Sequence, residues 1–155
     1  MSDSAPAGAA PATSNDRAVR VVGVIVAVLG AVFLVAGIVT YAVVSSTLAD
    51  QNISVSDDAA HFAGKDVKGP FTAYAQADVI NKHALEIGGG KTYAELPQDD
   101  PNRDTVMTAS FLQASLFTSV VAFGVAAFVS VIGVVLMLLG WVLMRLARRP
   151  VPRTI

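Results

Sequence analysis

The chain has 155 residues, of which 54% are hydrophobic and 15% are charged, with a net charge of −1 and no cysteine. Soluble domains carry about 25% charged residues, so the composition excludes an ordinary soluble globule. A sequence without cysteine has no disulfide framework and no thiolate metal site, and the small net charge excludes a broadly basic nucleic-acid binder.

Two long runs without a charged residue, Val21–Ser46 and Thr105–Met144, predict two transmembrane helices. A helix needs about 20 apolar residues to cross a bilayer. The first run therefore predicts one crossing, over residues 20–46. Its length favours an uncleaved anchor over the alternative, a cleaved signal peptide with a shorter apolar core. The second run is too long for one crossing and too short for two with a turn. It predicts a single helix over residues 101–147, whose membrane part is about 116–144.

Charged residues near the ends of the two runs predict their direction, because cytoplasmic flanks are rich in Lys and Arg. The connecting segment, residues 49–105, holds five basic and ten acidic residues, a net charge of −5. We therefore expect that segment to be extracytoplasmic, and both termini to be cytoplasmic. The tails are predicted to be disordered over residues 1–16 and basic over residues 148–155. The residues that set this topology are Arg17, Arg20, Arg145, Arg148 and Arg149.

The connecting residues 49–100 predict a small, mainly helical unit. An extended stretch at Gln51–Val55 is followed by a short helix over Ser56–Gly64, with Ser56 as its N-cap. Pro70–Ile87 is predicted as a second helix, because Gly69-Pro70 is a start signal and three glycines follow Ile87. A capping box at Thr92–Glu95 predicts one further turn.

The apolar side chains of this unit are too few to form a large core of their own. We expect them to pack on the protruding start of the second long helix, at Val106, Met107 and Phe111. The side chains concerned are Phe62, Phe71, Tyr74, Val79, Ile80, Leu85 and Tyr93.

Small residues recur every seven positions in both predicted membrane helices, which aligns each set on one face. In lipid, such a face allows two backbones to approach closely. The spacing predicts a helix–helix seam, either within the chain or with another subunit. The seam residues are Gly23, Gly30 and Gly37 in the first helix, and Ser119, Ala126, Gly133 and Gly140 in the second.

The candidates for catalytic or cofactor-binding residues are weak. His61 and His83, each near a carboxylate in sequence, are the metal-ligand candidates, but such pairs are common on helix surfaces. Gly90-Lys91-Thr92 lacks the first glycine of a phosphate-binding loop, so no nucleotide is expected. The predicted membrane helices lack the charged or broken-helix sites of most transporters. No catalytic residue and no cofactor is therefore expected.

Four strings of the sequence are distinctive: Val55–Ala59, Gly69–Ile80, Lys91–Leu96 and Ala109–Gly124. They resemble an actinobacterial family of small two-span membrane proteins that is often catalogued as aromatic ring-opening dioxygenase. The resemblance covers about Val21–Leu143.

The resemblance implies a membrane protein and supplies no catalytic residues. Ring-opening dioxygenases are soluble iron enzymes with an enclosed substrate cavity, and two histidines in a short segment do not match them. We therefore expect an all-α, two-helix membrane hairpin that acts without catalysis, as an accessory or structural component of the cell envelope or of a larger membrane complex. Its expected partners are the lipid bilayer and either another membrane protein or a second copy of the chain. The alternatives are a membrane-anchored sensor with an extracytoplasmic ligand unit, and a metal-dependent, dioxygenase-like enzyme.

Overall fold

A computed structural model describes the backbone of residues 13–148 and the side chains of residues 16–148. This part of the chain contains three α-helices and no strand: α1 is Thr13–Ala49, α2 is Pro70–Ile87 and α3 is Arg103–Leu146. The prediction of an all-α chain with two long apolar helices is confirmed. Residues 1–12 and 149–155, which include most of both predicted tails and Arg149, lie outside the described residues.

Helices α1 and α3 are long and apolar enough to span a membrane, over Asp16–Ala49 and Arg103–Leu146. Large apolar side chains cover their surfaces and remain exposed, for example Val28 at 57% and Val121 at 64%. Contiguous apolar surface on this scale is typical of a face that contacts lipid or another protein.

Helix α1 is longer at both ends than the predicted residues 20–46. It begins at Thr13, so residues 13–16 of the predicted disordered tail are helical, and Asp16 in the first turn favours a helix start. At the other end, the hydroxyls of Ser46 and Thr47 donate to the carbonyl of Val43, at 2.9 Å each. Both hydroxyls are thus satisfied within the helix, which ends at Ala49.

Helix α3 begins two residues later than predicted, at Arg103 instead of Pro101. The Asp100 carboxylate accepts the N–H of Asn102 at 2.8 Å. The Asn102 carbonyl then accepts the N–H of Val106 at 3.0 Å. Asp100 thus caps the turn at residues 101–102 that leads into the helix.

The chain divides into two compact units. The first, here called the paired-helix unit, comprises residues 13–34 and 131–148 of the described chain. The second, the three-helix unit, comprises residues 35–130. It contains the end of α1, the whole of α2 and the start of α3.

The core of the three-helix unit is aliphatic apart from the Phe123 ring and draws on every helix. Two side chains, Val55 and Val67, lie in the loop between α1 and α2 and are 1% and 0% exposed. They are held by a short antiparallel bridge, in which Val55 N donates to the Lys65 carbonyl and Val67 N to the Ile53 carbonyl. The remaining members of the cluster are Leu48, Ala73, Ala77, Leu116 and Phe123.

The predicted helix over Ser56–Gly64 is wrong, because this stretch forms a turn. Phe62 and Gly64 have positive φ angles of 63° and 70°, which no α-helix contains. Ser56 does not cap a helix either: its hydroxyl pairs with the Gln76 side chain at 3.4 Å, and its N–H donates to the same side chain at 2.9 Å.

The predicted packing on the start of α3 occurs with Tyr93 from the predicted set and with side chains outside that set. Val106 is 1% exposed and packs with Ala84, Leu96 and Tyr93. In contrast, Phe71 and Phe111, which were expected to be covered, are 74% and 67% exposed. The buried positions of α2 are Ala73, Gln76, Ala77, Val79 and Ala84.

Candidate functional site

In the paired-helix unit, backbone meets backbone where glycines of α1 and α3 face each other. A methyl group at Gly23 would lie 2.9 Å from the carbonyl oxygen of Gly140, and one at Gly140 would lie 2.5 Å from that of Gly23. Because Cβ atoms essentially never approach other atoms below 3.0 Å, only glycine fits at either position. Both residues are buried although most of their neighbours are exposed.

A second glycine pair lies further along the same two helix segments. A methyl at Gly30 would lie 2.7 Å from the N of Met137, and one at Gly133 would lie 2.5 Å from the N of Leu34. The two pairs run in opposite order along the two segments, so the segments are antiparallel. Close backbone approach of this kind lets membrane helices gain dispersion contacts where the hydrophobic effect is absent.

The other small residues predicted for the seam lie in the three-helix unit. Gly37 faces α3, since a methyl there would lie 2.6 Å from the Ala126 carbonyl and would collide with the Ser130 hydroxyl. Ala126 itself is 2% exposed. Ser119 is half-buried and donates its hydroxyl to the Ser115 carbonyl at 3.1 Å, within its own helix. Gly124 has no atom within 4 Å of a would-be methyl group.

The two histidines do not pair with the carboxylates that are near them in sequence. His83 Nε2 lies 2.7 Å from the Asp58 carboxylate, 25 positions away. This hydrogen bond is the main cause that lowers the pKa of Asp58 from its ordinary value of 3.8. The His61 ring lies edge-on to Phe62. Among the described residues, no three His, Asp or Glu side chains lie close enough together to hold a metal ion.

A cleft of about 540 Å³ opens on the three-helix unit where the loop before α2 meets α1. Its lining combines aromatic rings with charged side chains: Tyr41, Phe62, Phe71, Lys65, Asp66 and Lys68. Ser45 on α1 donates its hydroxyl to the Lys68 carbonyl at 2.7 Å and so fixes the loop beside the helix. Lys65 lies over the Phe62 ring, 5.4 Å from its centre.

The loop between α2 and α3 is organised around Arg103. Its guanidinium donates to the carbonyls of Tyr93 and Leu96 and stacks 4.3 Å from the Tyr93 ring centre. The turn at Thr92 is closed by the predicted capping box, in which the Glu95 carboxylate accepts the Thr92 N–H at 2.9 Å. The backbone N–H and the hydroxyl of Thr92 lower the pKa of Glu95.

The arginines predicted to set the topology lie near the helix ends of the paired-helix unit. Arg17 and Arg20 are exposed, in the first turns of α1. At the end of α3, Arg145 stacks 4.9 Å from the centre of the Trp141 ring, and Arg148 is exposed. An arginine beside an indole is a common arrangement at a membrane–water interface.

Three structural residues escaped the sequence reasoning: Gln76, Arg103 and Asp58. Gln76 is 8% exposed, the one buried polar side chain of the described chain, and accepts the N–H of Ser56. A helical-wheel reading could have placed it on the buried face of α2, between Ala73 and Ala77. The pairing of Asp58 with His83 joins a loop to a helix, and no local spacing signals it.

Comparison of the chain with protein-family models, curated proteins and solved structures finds no match.

Proposed function

We propose that the chain is an integral membrane protein without catalytic activity, an accessory or structural component of the cell envelope or of a larger membrane complex. Helices α1 and α3 cross the plasma membrane once each, and the two termini are cytoplasmic. Residues 49–105 lie outside the membrane and present a small folded unit there. The net charge of −5 in that segment and the arginines outside the two runs support this direction.

The pairing of Gly23 with Gly140 and of Gly30 with Gly133 carries the proposal. Each glycine faces a backbone with no room for a side chain, while large apolar residues on the other faces are exposed. Helices with one small-residue face and an apolar remainder are suited to pair in lipid. A soluble protein would gain nothing from leaving so much apolar surface exposed.

A structural or accessory role is supported by the absence of charged residues from the two apolar runs. Their runs Val21–Ser46 and Thr105–Met144 contain no charged side chain. Carriers and pumps use such groups or broken helices at mid-depth to bind their cargo. On the three-helix unit, exposed Leu112 lines a groove of about 390 Å³ between α2 and α3, and Phe111 is exposed on the same unit. Exposed apolar surface of this kind suits contact with another membrane protein.

Photocrosslinking in native membranes tests the partner role. A photoreactive residue replaces Leu112, which is 51% exposed, and the matched control replaces Leu116, one turn further on and 4% exposed. We expect a discrete crosslinked product with a second membrane protein from position 112 and only internal products from position 116. Products with lipid alone from position 112 would contradict a partner role at this face.

A sensor with an extracytoplasmic ligand unit is the second candidate, and the cleft beside Tyr41 favours it. A sensor must change when its ligand binds, whereas a structural component need not. Hydrogen exchange of the full chain, with and without membrane extract, distinguishes the two. Protection confined to the cleft-lining residues 62–72 supports binding alone, and changes that extend into α3 support sensing.

The dioxygenase-like alternative needs a metal site. His61 and His83 are the candidates, yet His83 is engaged with Asp58 and no third ligand joins either histidine among the described residues. Elemental analysis of the purified chain decides this point, because the proposal expects no stoichiometric iron or zinc.

A further inference from the structure

We infer that the cleft beside Tyr41 binds one anionic phospholipid of the outer leaflet, with its phosphate at Lys65 and Lys68 and an acyl chain against the aromatic rings. The inference rests on the proposed membrane orientation and adds a specific ligand to it. The groove between α2 and α3, by contrast, has no Lys or Arg in its lining.

The charge of the cleft selects an anion. Residues 49–105 are acidic overall, with four lysines among ten carboxylates. Two of those lysines line this cleft against a single carboxylate, Asp66. The contact between Lys68 Nζ and Asp66 is loose, at 3.5 Å, and both side chains are mostly exposed, at 63% and 74%. An exposed pair of this kind is weak, so a phosphate competes with it readily. The other lysine, Lys65, lies over an aromatic ring.

The apolar part of the cleft indicates that the anion carries a hydrocarbon chain. Tyr41 belongs to the uncharged run of α1, and its ring packs 4.7 Å from that of Phe123 on α3. One turn before Tyr41, Ile38 is 56% exposed and extends the apolar surface away from the cleft. Phe71, at the start of α2, is 74% exposed beside the same opening. A free phosphate would leave this apolar surface exposed, whereas the acyl chain of a phospholipid covers it.

The position of the cleft fits the boundary between lipid and water. Tyrosine and other amphipathic rings are enriched at that depth. Next to the cleft, the Tyr74 and Phe117 rings are in contact at 5.8 Å, which adds a second aromatic pair at the junction of α2 and α3. Lysines can reach from this level to the headgroup phosphates while their stems lie on apolar surface.

Brominated lipids provide the test, because bromine on an acyl chain quenches a nearby indole. The full chain is reconstituted in vesicles of phosphatidylglycerol and phosphatidylcholine at equal mole fractions, with only one of the two lipids brominated. The reporter is Phe71→Trp in a Trp141→Phe background. The wild-type chain, whose single tryptophan is Trp141, reports insertion in the same vesicles.

We expect the reporter to be quenched about fivefold more effectively by brominated phosphatidylglycerol, the preference that one net positive charge near a membrane surface gives. Lys65→Gln with Lys68→Gln should abolish the preference. The matched pair Lys82→Gln with Lys91→Gln, which removes the same charge elsewhere on the unit, should leave it intact. Circular dichroism of each variant verifies that the helices are retained.

Equal quenching by the two lipids, or a preference that survives Lys65→Gln with Lys68→Gln, would overturn the inference. No quenching of the reporter while Trp141 is quenched would also overturn it, and would leave the proposed membrane insertion standing. If neither indole is quenched, the proposed insertion itself fails.

Discussion

A methyl group on Gly30 would lie 2.6 Å from the carbonyl oxygen of Gly133, and a methyl on Gly133 would lie 2.7 Å from that of Gly30. The two residues thus exclude any side chain from each other's position. Helix geometry alone would favour alanine at both, by up to about 1 kcal/mol each. The glycines are explained by the contact between helices and not by the helices themselves.

Gly30→Ala and Gly133→Ala should each weaken the pairing of α1 and α3 by about 1–3 kcal/mol, the usual cost of overpacking. Gly124→Ala is the matched control, because a methyl there meets nothing within 4 Å. It should be neutral or slightly stabilising. Energy transfer between dyes on cysteines introduced at Asp16 and Arg148 follows the pairing during titration with sodium dodecyl sulfate. Equal transition midpoints for Gly30→Ala and Gly124→Ala would contradict a close seam.

Gln76→Leu should destabilise the three-helix unit by about 1–3 kcal/mol, because it leaves the N–H of Ser56 without its acceptor. Gln98→Leu changes an exposed glutamine in the same unit and should cost less than about 0.5 kcal/mol. Hydrogen exchange of the Ser56 amide, measured with chemical unfolding, reports the effect. Unchanged Ser56 exchange in Gln76→Leu would show that this contact is dispensable.

Arg103→Lys should loosen the loop between α2 and α3 although the charge is kept. Lysine cannot reproduce the planar stack on Tyr93 together with donation to two carbonyls, so a loss of about 1–2 kcal/mol is expected. Faster amide exchange over residues 93–97 would show it. Arg17→Lys, an exposed change in the paired-helix unit, serves as the control and should leave those amides as they are.

The contact between Asp58 and His83 predicts a pH dependence with a definite sign. Since the pKa of folded Asp58 lies below its ordinary value of 3.8, the carboxylate contributes stability above that pH. The contribution is lost as the pH falls through the lower, folded value. His83→Gln should move the pKa of Asp58 toward 3.8, and His61→Gln should leave it in place. Carboxyl carbon NMR of the full chain in micelles measures both, and equal titration curves for the two variants would refute the pairing.

Sequence signals predicted those features that depend only on neighbouring residues, such as helix ends and helix periodicity. Gly69-Pro70 and the three glycines after Ile87 predict α2 with the bounds that it has. The seven-residue spacing groups Gly23 with Gly30 and Gly133 with Gly140, and each of these four glycines faces a backbone atom of the other helix.

The sequence-based predictions fail where contacts between residues far apart in the sequence determine the structure. Ser56 is predicted as an N-cap, but its hydroxyl and its N–H both pair with Gln76, twenty positions away. Likewise, Asp58 and His83 are brought together by the turn before Gly64 and by α2, and no sequence spacing encodes their contact. The cleft could not be foreseen for the same reason, since its walls come from α1 and from a loop whose turn was missed.

Labelling of single introduced cysteines in intact cells tests the central claim most directly, because the chain has none of its own. Cysteines replace Lys91, in the segment proposed to be outside, and Ala147, just after α3. A membrane-impermeant maleimide should label the cysteine at position 91 at once and the one at position 147 only after permeabilisation. Equal labelling of both in intact cells would place them on one side of the membrane and contradict a two-span hairpin with its ends in the cytoplasm.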